Sequence, residues 1–324
     1  MRWRHLLRPA SERIIEHGRP GHIRAPAGSC RFVTEQSQIA AVVPTAAVVK
    51  SARKYDMRRL SYSGTFKNPV KIYSIRIIEW LTAKIQLLSL IRSFEKSGAP
   101  VGAPFWPKAL RHMGIRLDTP PEEIARIPAT GPLVVVANHP SGLVDGMIMA
   151  ELINRVRSDF RILTRSLLTG IPEVEEFMIP VPFPHEDNAR ELGLQMRDAT
   201  LKHLKAGGVI ILFPAGKVAM SEGWWGPAVE AEWNVFTHKI VKSTGATILP
   251  IFFPGQNSRA FLIANRVSDT IRQGLLLYEI KRSLFKPQRP HIGQPISADE
   301  LKKWDGNPRG FLAWLREHTL ALGK

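Results

Sequence analysis

Short, mainly apolar runs alternate along the centre of the chain with longer segments that mix apolar and polar positions. Such runs, bounded by Gly, Pro or Asn, are typical of buried strands. They lie at residues 133–137, 160–164, 209–213 and 247–253. The mixed segments predict helices at residues 146–157, 188–205 and 233–243. Strands that alternate with helices predict an α/β fold with a mainly parallel sheet flanked by helices.

Weaker patterns predict further elements. Prolines within and just after residues 178–183 exclude a central strand, so an edge strand or an extended loop is expected there. Additional strands are expected at residues 114–118, 275–281 and 291–293, and additional helices at 105–113 and 307–322. Asn307 would cap the last helix and Pro308 would occupy its first position.

Residues 69–97 predict a helix whose apolar side chains lie almost all round it, interrupted by charges such as Lys71 and Arg92. Two interpretations compete: a helix packed against the domain, or a helix in a membrane interface with Lys and Arg side chains reaching outwards. Trp80 and the cationic flanks favour the interface. No run of 18 uncharged apolar residues occurs, so a simple transmembrane helix is not expected.

The first 56 residues are rich in Arg, poor in acidic residues and without sustained periodicity. They predict a poorly ordered basic extension, which would be a targeting peptide or, on a plainer hypothesis, a stretch upstream of a true start at Met57. The expected organisation is therefore this extension, a helical membrane-interface region at residues 57–104, and an α/β domain at residues 105–324.

Net charge, cysteine content and histidine spacing indicate which partners and which kinds of site to expect. A net charge of +17, of which residues 1–60 contribute +8, favours anionic partners: nucleic acid, acidic lipid or phosphorylated small molecules. A single cysteine, Cys30, excludes an internal disulfide, argues against a thiol nucleophile and is typical of a reducing compartment. No metal-binding spacing of His is present, so no metal site is expected.

The first candidate chemistry follows the run at 133–137, where Asn138 and His139 begin a Pro/Gly turn and Asp145 comes six residues after the histidine. A neutral imidazole can accept a proton from an alcohol near pH 7, and a carboxylate can fix its tautomer. The alternative is an unrelated turn histidine and a helix-entry aspartate.

A second block follows the run at 209–213, where the chain reads Phe213-Pro214-Ala215-Gly216-Lys217. Glycine lets backbone N–H groups approach an anion, and the lysine adds charge. The block is not a phosphate-binding P-loop, because Ile211 stands at the expected first glycine and Val218 replaces Ser or Thr.

Together these blocks resemble the glycerolipid (lysophospholipid) acyltransferase family over residues 57–298. Asn138, His139 and Asp145 match its Asn-His-x4-Asp block, and residues 213–218 match Phe-Pro-Glu-Gly-Thr-Arg. Residues 248–250, which end at Pro250, match its apolar strand ending in proline. The arginine of its second block would be Arg165 or Arg190.

Two departures from the family pattern bear on the substrate. Five residues rather than four separate His139 from Asp145, a spacing used by the hemolysin-like branch that includes ornithine-lipid acyltransferases. Ala215 and Val218 replace the glutamate and arginine thought to bind glycerol phosphate, which argues against a simple glycerol-3-phosphate or lysophosphatidate acceptor.

The resemblance implies a glycerol-phosphate acyltransferase-like fold and transfer of an acyl group from acyl-CoA or acyl carrier protein to a hydroxyl of a lysolipid, without a cofactor. His139 would be the general base and Asp145 its orienting partner. The implied substrate-binding residues are Asn138, Phe213, Pro214, Gly216, Lys217, Arg165, Arg190 and Pro250. The expected location is the cytoplasmic face of the inner membrane, where the protein would be held on anionic lipid either peripherally or by an interfacial anchor.

Three alternatives remain open: a catalytically inactive member that only binds lipid, a hydrolase that uses the same pair with water, and a basic nucleic-acid-binding protein. No zinc spacing, aromatic RNA-recognition motif or helix-turn-helix pattern supports the last, so no nucleic-acid partner is expected. Trp224 and Trp225 would contact lipid or acyl chain, or would pack within an ordinary loop.

Overall fold

The computed structural model describes residues 60–164, 171–182, 188–304 and 306–324. The predicted basic extension at residues 1–56 lies outside them. The described chain forms a six-stranded sheet with the order β3-β2-β4-β1-β7-β8, together with a separate two-stranded hairpin, β5-β6. In chain order the strands are β1 Leu133–Ala137, β2 Phe160–Thr164, β3 Met178–Pro180, β4 Val209–Leu212, β5 Met220–Ser221, β6 Ala228–Val229, β7 Thr247–Phe252 and β8 His291–Ile292.

Five strands of the large sheet run parallel and only β8 is antiparallel. Strand β1 lies between β4 and β7, and all five of its residues are buried. Alternate residues of this strand enter two different cores: Leu133 and Val135 on one face, Val134 and Val136 on the other. Burial on both faces explains why the strand is continuously apolar.

Helices cover both faces of the sheet, so the predicted fold class is confirmed. The helices are α1 Pro69–Glu79, α2 Ile85–Lys96, α3 Phe105–His112, α4 Pro121–Ile124, α5 Leu143–Asn154, α6 Ala189–Lys205, α7 Phe236–Thr244, α8 Arg259–Val267, α9 Asp269–Ser283 and α10 Pro308–Ala321. Side chains from α2, α3, α5 and α9 fill one core, and those from α6, α7 and α10 fill the other.

The predicted helix at 69–97 is confirmed, with a π-helical turn, Trp80–Lys84, joining α1 to α2. Its inner face packs on α9, where Gly274 allows a close approach of Ile78. Its outer face carries large apolar side chains in the open, which we call the apolar stripe. The stripe consists of Val70, Tyr73, Ile77, Trp80, Leu81 and Ile85, each at least 59% exposed. None of the helices in the described ranges is long and apolar enough to cross a bilayer.

Two predicted strands are wrong. Residues 275–281 lie inside helix α9, where Leu277 and Ile280 are buried at a helical spacing that a short apolar run does not reveal. Residues 114–118 contribute only a single bridge, between Leu117 and Gln288. The predicted edge at 178–183 is confirmed as far as Pro180 by edge strand β3.

The ends of three further elements can be compared with the predictions from the sequence. Strand β8 and helix α10 are confirmed, and the Asn307 side chain caps α10 by accepting the N–H of Gly310. The helix predicted from residue 146 begins earlier, at Leu143. Asp145 therefore belongs to the first turn of α5, where its negative charge is favourable.

Candidate active site

The three central strands bring the two chemical blocks together. Strands β1, β4 and β7 are parallel neighbours, so their carboxyl ends meet at one edge of the sheet. This edge carries His139 just after β1, Phe213 directly after β4, and Phe253 directly after β7. Open α/β sheets place their binding sites at such an edge.

The predicted histidine–aspartate pair is formed. Nδ1 of His139 lies 3.1 Å from Oδ2 of Asp145, and the aspartate side chain is only 3% exposed against 16% for the histidine. The same oxygen accepts the backbone N–H groups of Ser141 at 2.7 Å and Gly142 at 3.1 Å. Three hydrogen bonds thus converge on one carboxylate oxygen, which holds the imidazole and the turn together.

Gly142 accommodates the five-residue spacing. Its backbone has φ +80° and ψ −128°, a conformation that residues with a side chain rarely adopt. This reversal points the N–H groups of the turn at Asp145 and starts helix α5 at Leu143. The longer loop therefore still brings the carboxylate to the imidazole.

Asn138 holds the loop to the neighbouring strand. Its side-chain amide donates to the carbonyl oxygen of Phe253 at 2.8 Å, and its side-chain oxygen accepts the N–H of Phe253 at 2.7 Å. Asn138 is 5% exposed. These bonds give Asn138 a positioning role, because they tie the end of β1 to the end of β7. The substrate-binding role that the resemblance implies for it stays a prediction.

Phe213 forms one wall around the imidazole. Its ring stacks on that of His139 with 3.8 Å between centroids and 19° between planes. The two blocks also come close at Gly142, where a β-carbon added to the glycine would lie 3.6 Å from a methyl group of Val218. Beyond Phe213 the chain turns, with the N–H of Gly216 donating to the carbonyl of Phe213 at 2.9 Å.

Both backbone groups of His139 are held by residues that sequence reasoning did not single out. The N–H of Ala219 donates to the carbonyl of His139 at 2.9 Å, and the N–H of His139 donates to Oε2 of Glu230 at 3.1 Å. The other carboxyl oxygen of Glu230 accepts from the indole N–H of Trp233 at 3.2 Å. Nothing in the sequence distinguishes Glu230 from nearby Glu232, since the contact depends on how residues 220–229 fold.

Glu230 is 6% exposed, and its burial raises the pKa of the carboxyl above the usual range. The hydrogen bonds from His139 and Trp233 lower this pKa but do not cancel the effect of burial. The loop that carries His139 therefore rests on a carboxyl group that is held in a poorly solvated position.

The remaining predicted site residues lie in different places. Lys217 is exposed on the loop after β4, and Pro214 is buried in that loop. Arg190 is exposed in the first turn of α6, which follows β3, a strand separated from β1 by β2 and β4. Arg165 lies outside the described residues.

Pro250 is buried within β7 rather than at its end. It pairs with Val136, and its carbonyl accepts the N–H of Gly293 at 2.9 Å. The N and C=O of a strand residue point to the same side, so the nitrogen of Pro250 faces β8. The absence of its N–H therefore removes no hydrogen bond between β7 and β1. Pro250 therefore shapes the sheet beneath the site.

Across the described ranges, no group of three or more His, Cys, Asp or Glu side chains is arranged to hold a metal ion. The arrangement at the sheet edge can take up a proton. Nδ1 of the imidazole is engaged by Asp145, and Nε2 lies on the far side of the ring, where a substrate hydroxyl could reach it.

The chain is similar to known acyltransferases. Residues 121–253 match the model of a family described as Acyltransferase, a span that contains His139, Asp145 and the loop after β4. The chain is 26% identical over 208 residues to the lyso-glycine lipid O-acyltransferase of Phocaeicola vulgatus, covering 60% of this chain and 70% of the relative.

Among solved structures, the 1-acyl-sn-glycerophosphate (LPA) acyltransferase PlsC from Thermotoga maritima is similar with a TM-score of 0.43 and 16% sequence identity. The similarity covers 80% of this chain and 84% of that protein.

Proposed function

The chain belongs to the glycerolipid and lysolipid acyltransferase family, and on that premise we propose that it transfers a fatty acyl group from a thioester donor to a hydroxyl of a lysolipid. The observation that carries this proposal is the contact between His139 and Asp145 at the carboxyl edge of β1. The proposed donor is acyl-CoA or acyl carrier protein, and no cofactor takes part.

In the proposed mechanism Nε2 of His139 takes the proton of the acceptor hydroxyl. The hydroxyl oxygen then attacks the thioester carbonyl carbon, the carbon–sulfur bond breaks, and the imidazolium returns its proton to the leaving thiolate. Asp145 stabilises the imidazolium through Nδ1, and the face of the Phe213 ring adds a cation–π contribution. The products are an ester and a free thiol.

We further propose that the acceptor carries a head group other than glycerol phosphate. Val218 presents a methyl group to the turn at Gly142, at a position where the family pattern has arginine, and Ala215 offers no carboxylate. Lys217 remains exposed nearby as a cation for an acidic head group. The relative from Phocaeicola vulgatus is named for a lyso-glycine lipid, so an amino-acid lysolipid is the proposed acceptor class.

We also propose that the enzyme works on a membrane surface, at the cytoplasmic face where such donors are found. The apolar stripe supports this, because six large apolar side chains on one helix face are costly in water and favourable in a bilayer interface. The net charge of +17 would add attraction to anionic lipid.

A substitution pair on the stripe, Ile77→Ser with Leu81→Ser, should weaken vesicle binding. Leu194→Ser, which replaces an exposed leucine on α6, should not.

The test of the proposed activity uses the purified full chain with acyl-CoA or acyl carrier protein and a panel of lysolipids, with esters identified by mass. Ester formation on an amino-acid lysolipid, faster than on lysophosphatidate and absent in His139→Ala, is the expected result. Release of free fatty acid without ester formation would instead indicate a hydrolase. Failure to acylate any acceptor with either donor would contradict the proposal.

A further inference from the structure

A short hairpin of the chain is bound at both of its ends to the backbone of His139. Residues 220–229, which we call the tryptophan hairpin, contain strands β5 and β6. The residue before the hairpin, Ala219, donates to the carbonyl of His139, and the residue after it, Glu230, accepts the N–H of His139. The hairpin is therefore anchored at both ends to the backbone of a single residue, His139.

The tip of the tryptophan hairpin carries two exposed aromatic side chains. Trp224 is 51% exposed and Trp225 is 79% exposed. Exposure on this scale removes little apolar area from water, so folding alone does not explain two adjacent tryptophans. Indole rings with one apolar body and one N–H group are typical of membrane–water interfaces.

The tip is held in a defined conformation. The hydroxyl of Ser221 donates to the carbonyls of Gly223 and Gly226, at 2.6 and 3.0 Å. From helix α8, Arg259 donates to the carbonyl of Gly226 at 2.6 Å, and Arg266 donates to the carbonyl of Glu222. The tryptophans are thus presented on a fixed support.

Two arginines of helix α8 lie at the tip of the hairpin. The guanidinium of Arg266 lies over the Trp224 ring, 5.7 Å from its centroid, and Arg259 is exposed beside the hairpin. Arginine beside tryptophan suits the level of lipid phosphates, where the ring enters the interface and the guanidinium meets the head groups. This pairing favours an anionic lipid surface over an apolar protein partner.

Exposed apolar side chains continue from the hairpin towards the apolar stripe. Val267, next to Arg266 in α8, is 60% exposed, and Ile271 in α9 is 37% exposed. One turn further along α9, Gly274 lies against Ile78 of α1, the helix that carries the stripe. Helices α8 and α9 therefore link the hairpin to the stripe.

We infer that the tryptophan hairpin is a second lipid-contacting element, whose tip enters the interface of an anionic bilayer beside the active site. The tip is joined to the His139 loop through Ala219 and Glu230. Binding of the tip to the bilayer therefore brings the imidazole to the membrane surface, where an embedded acceptor can reach it. This inference rests on the proposed function for its effect on catalysis, but not for its effect on binding.

The test compares the wild-type full chain with a Trp224→Ser/Trp225→Ser double variant and with Leu194→Ser. Leucine 194 is 51% exposed, as Trp224 is, but lies on α6 in the helical layer on the other face of the sheet. Binding is measured by sedimentation with vesicles of phosphatidylglycerol and phosphatidylcholine. We expect the double variant to bind about tenfold more weakly or worse, and Leu194→Ser to bind as wild type does.

Acyl transfer is then measured on a vesicle-embedded lysolipid and on a short-chain, monomeric one. The double variant should lose rate on the embedded acceptor and keep it on the monomeric acceptor. Unchanged vesicle binding, equal loss on both acceptors, or a change in oligomeric state in place of vesicle binding would each overturn the inference. If the wild type acylates neither acceptor, the proposed function fails, while the binding comparison still decides the role of the hairpin.

Discussion

Oδ2 of Asp145 lies 3.1 Å from Nδ1 of His139 and at the same time accepts the N–H groups of Ser141 and Gly142. One carboxylate oxygen therefore orients the imidazole and fixes the turn that carries it. An asparagine in this place would keep an acceptor oxygen but would lose the negative charge that stabilises the imidazolium.

Asp145→Asn should lower kcat by about a hundred- to ten-thousand-fold, because the imidazole loses the partner that fixes its tautomer. The KM for the acceptor should change little, since Asp145 is buried away from the substrate. Steady-state kinetics with the preferred lysolipid provide the measurement. The control is Asp198→Asn, an exposed position on α6, and an activity of Asp145→Asn within tenfold of wild type would remove the aspartate from the mechanism.

Gly142→Ala should destabilise the protein by about 1–3 kcal/mol, since its φ of +80° strains any residue with a β-carbon. The added methyl meets only Val218 at 3.6 Å, so the cost comes from the backbone. Gly193→Ala, inside helix α6 with free space around it, should instead stabilise by about 0.5–1 kcal/mol. Urea unfolding of both variants tests the contrast, and equal effects of the two would argue against the strained turn.

Glu230→Gln should change how stability depends on pH. Burial raises the pKa of Glu230 in the folded state, so the folded protein holds a proton that the unfolded chain releases near the ordinary value of 4.5. Stability from this group is present below pH 4.5 and is lost as pH rises through the folded pKa. Wild type should therefore lose stability relative to Glu230→Gln across that window.

Urea unfolding of wild type and Glu230→Gln between pH 4 and 8 measures this difference. Burial also raises the pKa values of Glu79 and Glu151. Both residues are common to the two proteins, and their contributions cancel in the comparison. If the difference in unfolding free energy stays constant with pH, or shifts in favour of wild type as pH rises, Glu230 is not a buried ionisable group.

Asn138→Ala should leave the N–H and C=O of Phe253 without their partners, at a cost of about 1–3 kcal/mol for each buried group. Activity should fall as well, because the end of β1 is no longer tied to β7. Asn188→Ala is a matched control, since Asn188 is exposed at the start of α6 and its side chain makes no capping bond. Thermal and urea unfolding of both variants would show whether Asn138 has the structural role assigned to it.

Features that depend on local sequence were predictable, whereas those that depend on distant contacts were not. The apolar runs identified the central strands, and parallel strands place His139 and Phe213 at one edge. The bond from His139 to Glu230 joins residues 91 positions apart, and the bond from Asn138 to Phe253 joins residues 115 apart. No local pattern encodes either partner.

Helix α9 shows that a short apolar run does not by itself distinguish a strand from a helix. The run from Leu275 to Tyr278 is apolar at every position, so over four residues it fits a strand as well as a helix. Only the longer spacing, with Gly274, Leu277 and Ile280 facing inwards, identifies the helix. The apolar stripe was similarly hidden, because apolar residues lie on both faces of α1 and only packing on α9 shows which face stays exposed.

The central claim is that His139 is the base for acylation of a lysolipid. The most direct measurement is a mass-resolved comparison of total lipids from cells that express wild type or His139→Ala at matched levels. We expect a lipid that gains one acyl chain with wild type and not with the variant, and whose head group is not glycerol phosphate. Identical lipid profiles in cells that supply both acyl donors, or the same product with His139→Ala, would contradict it.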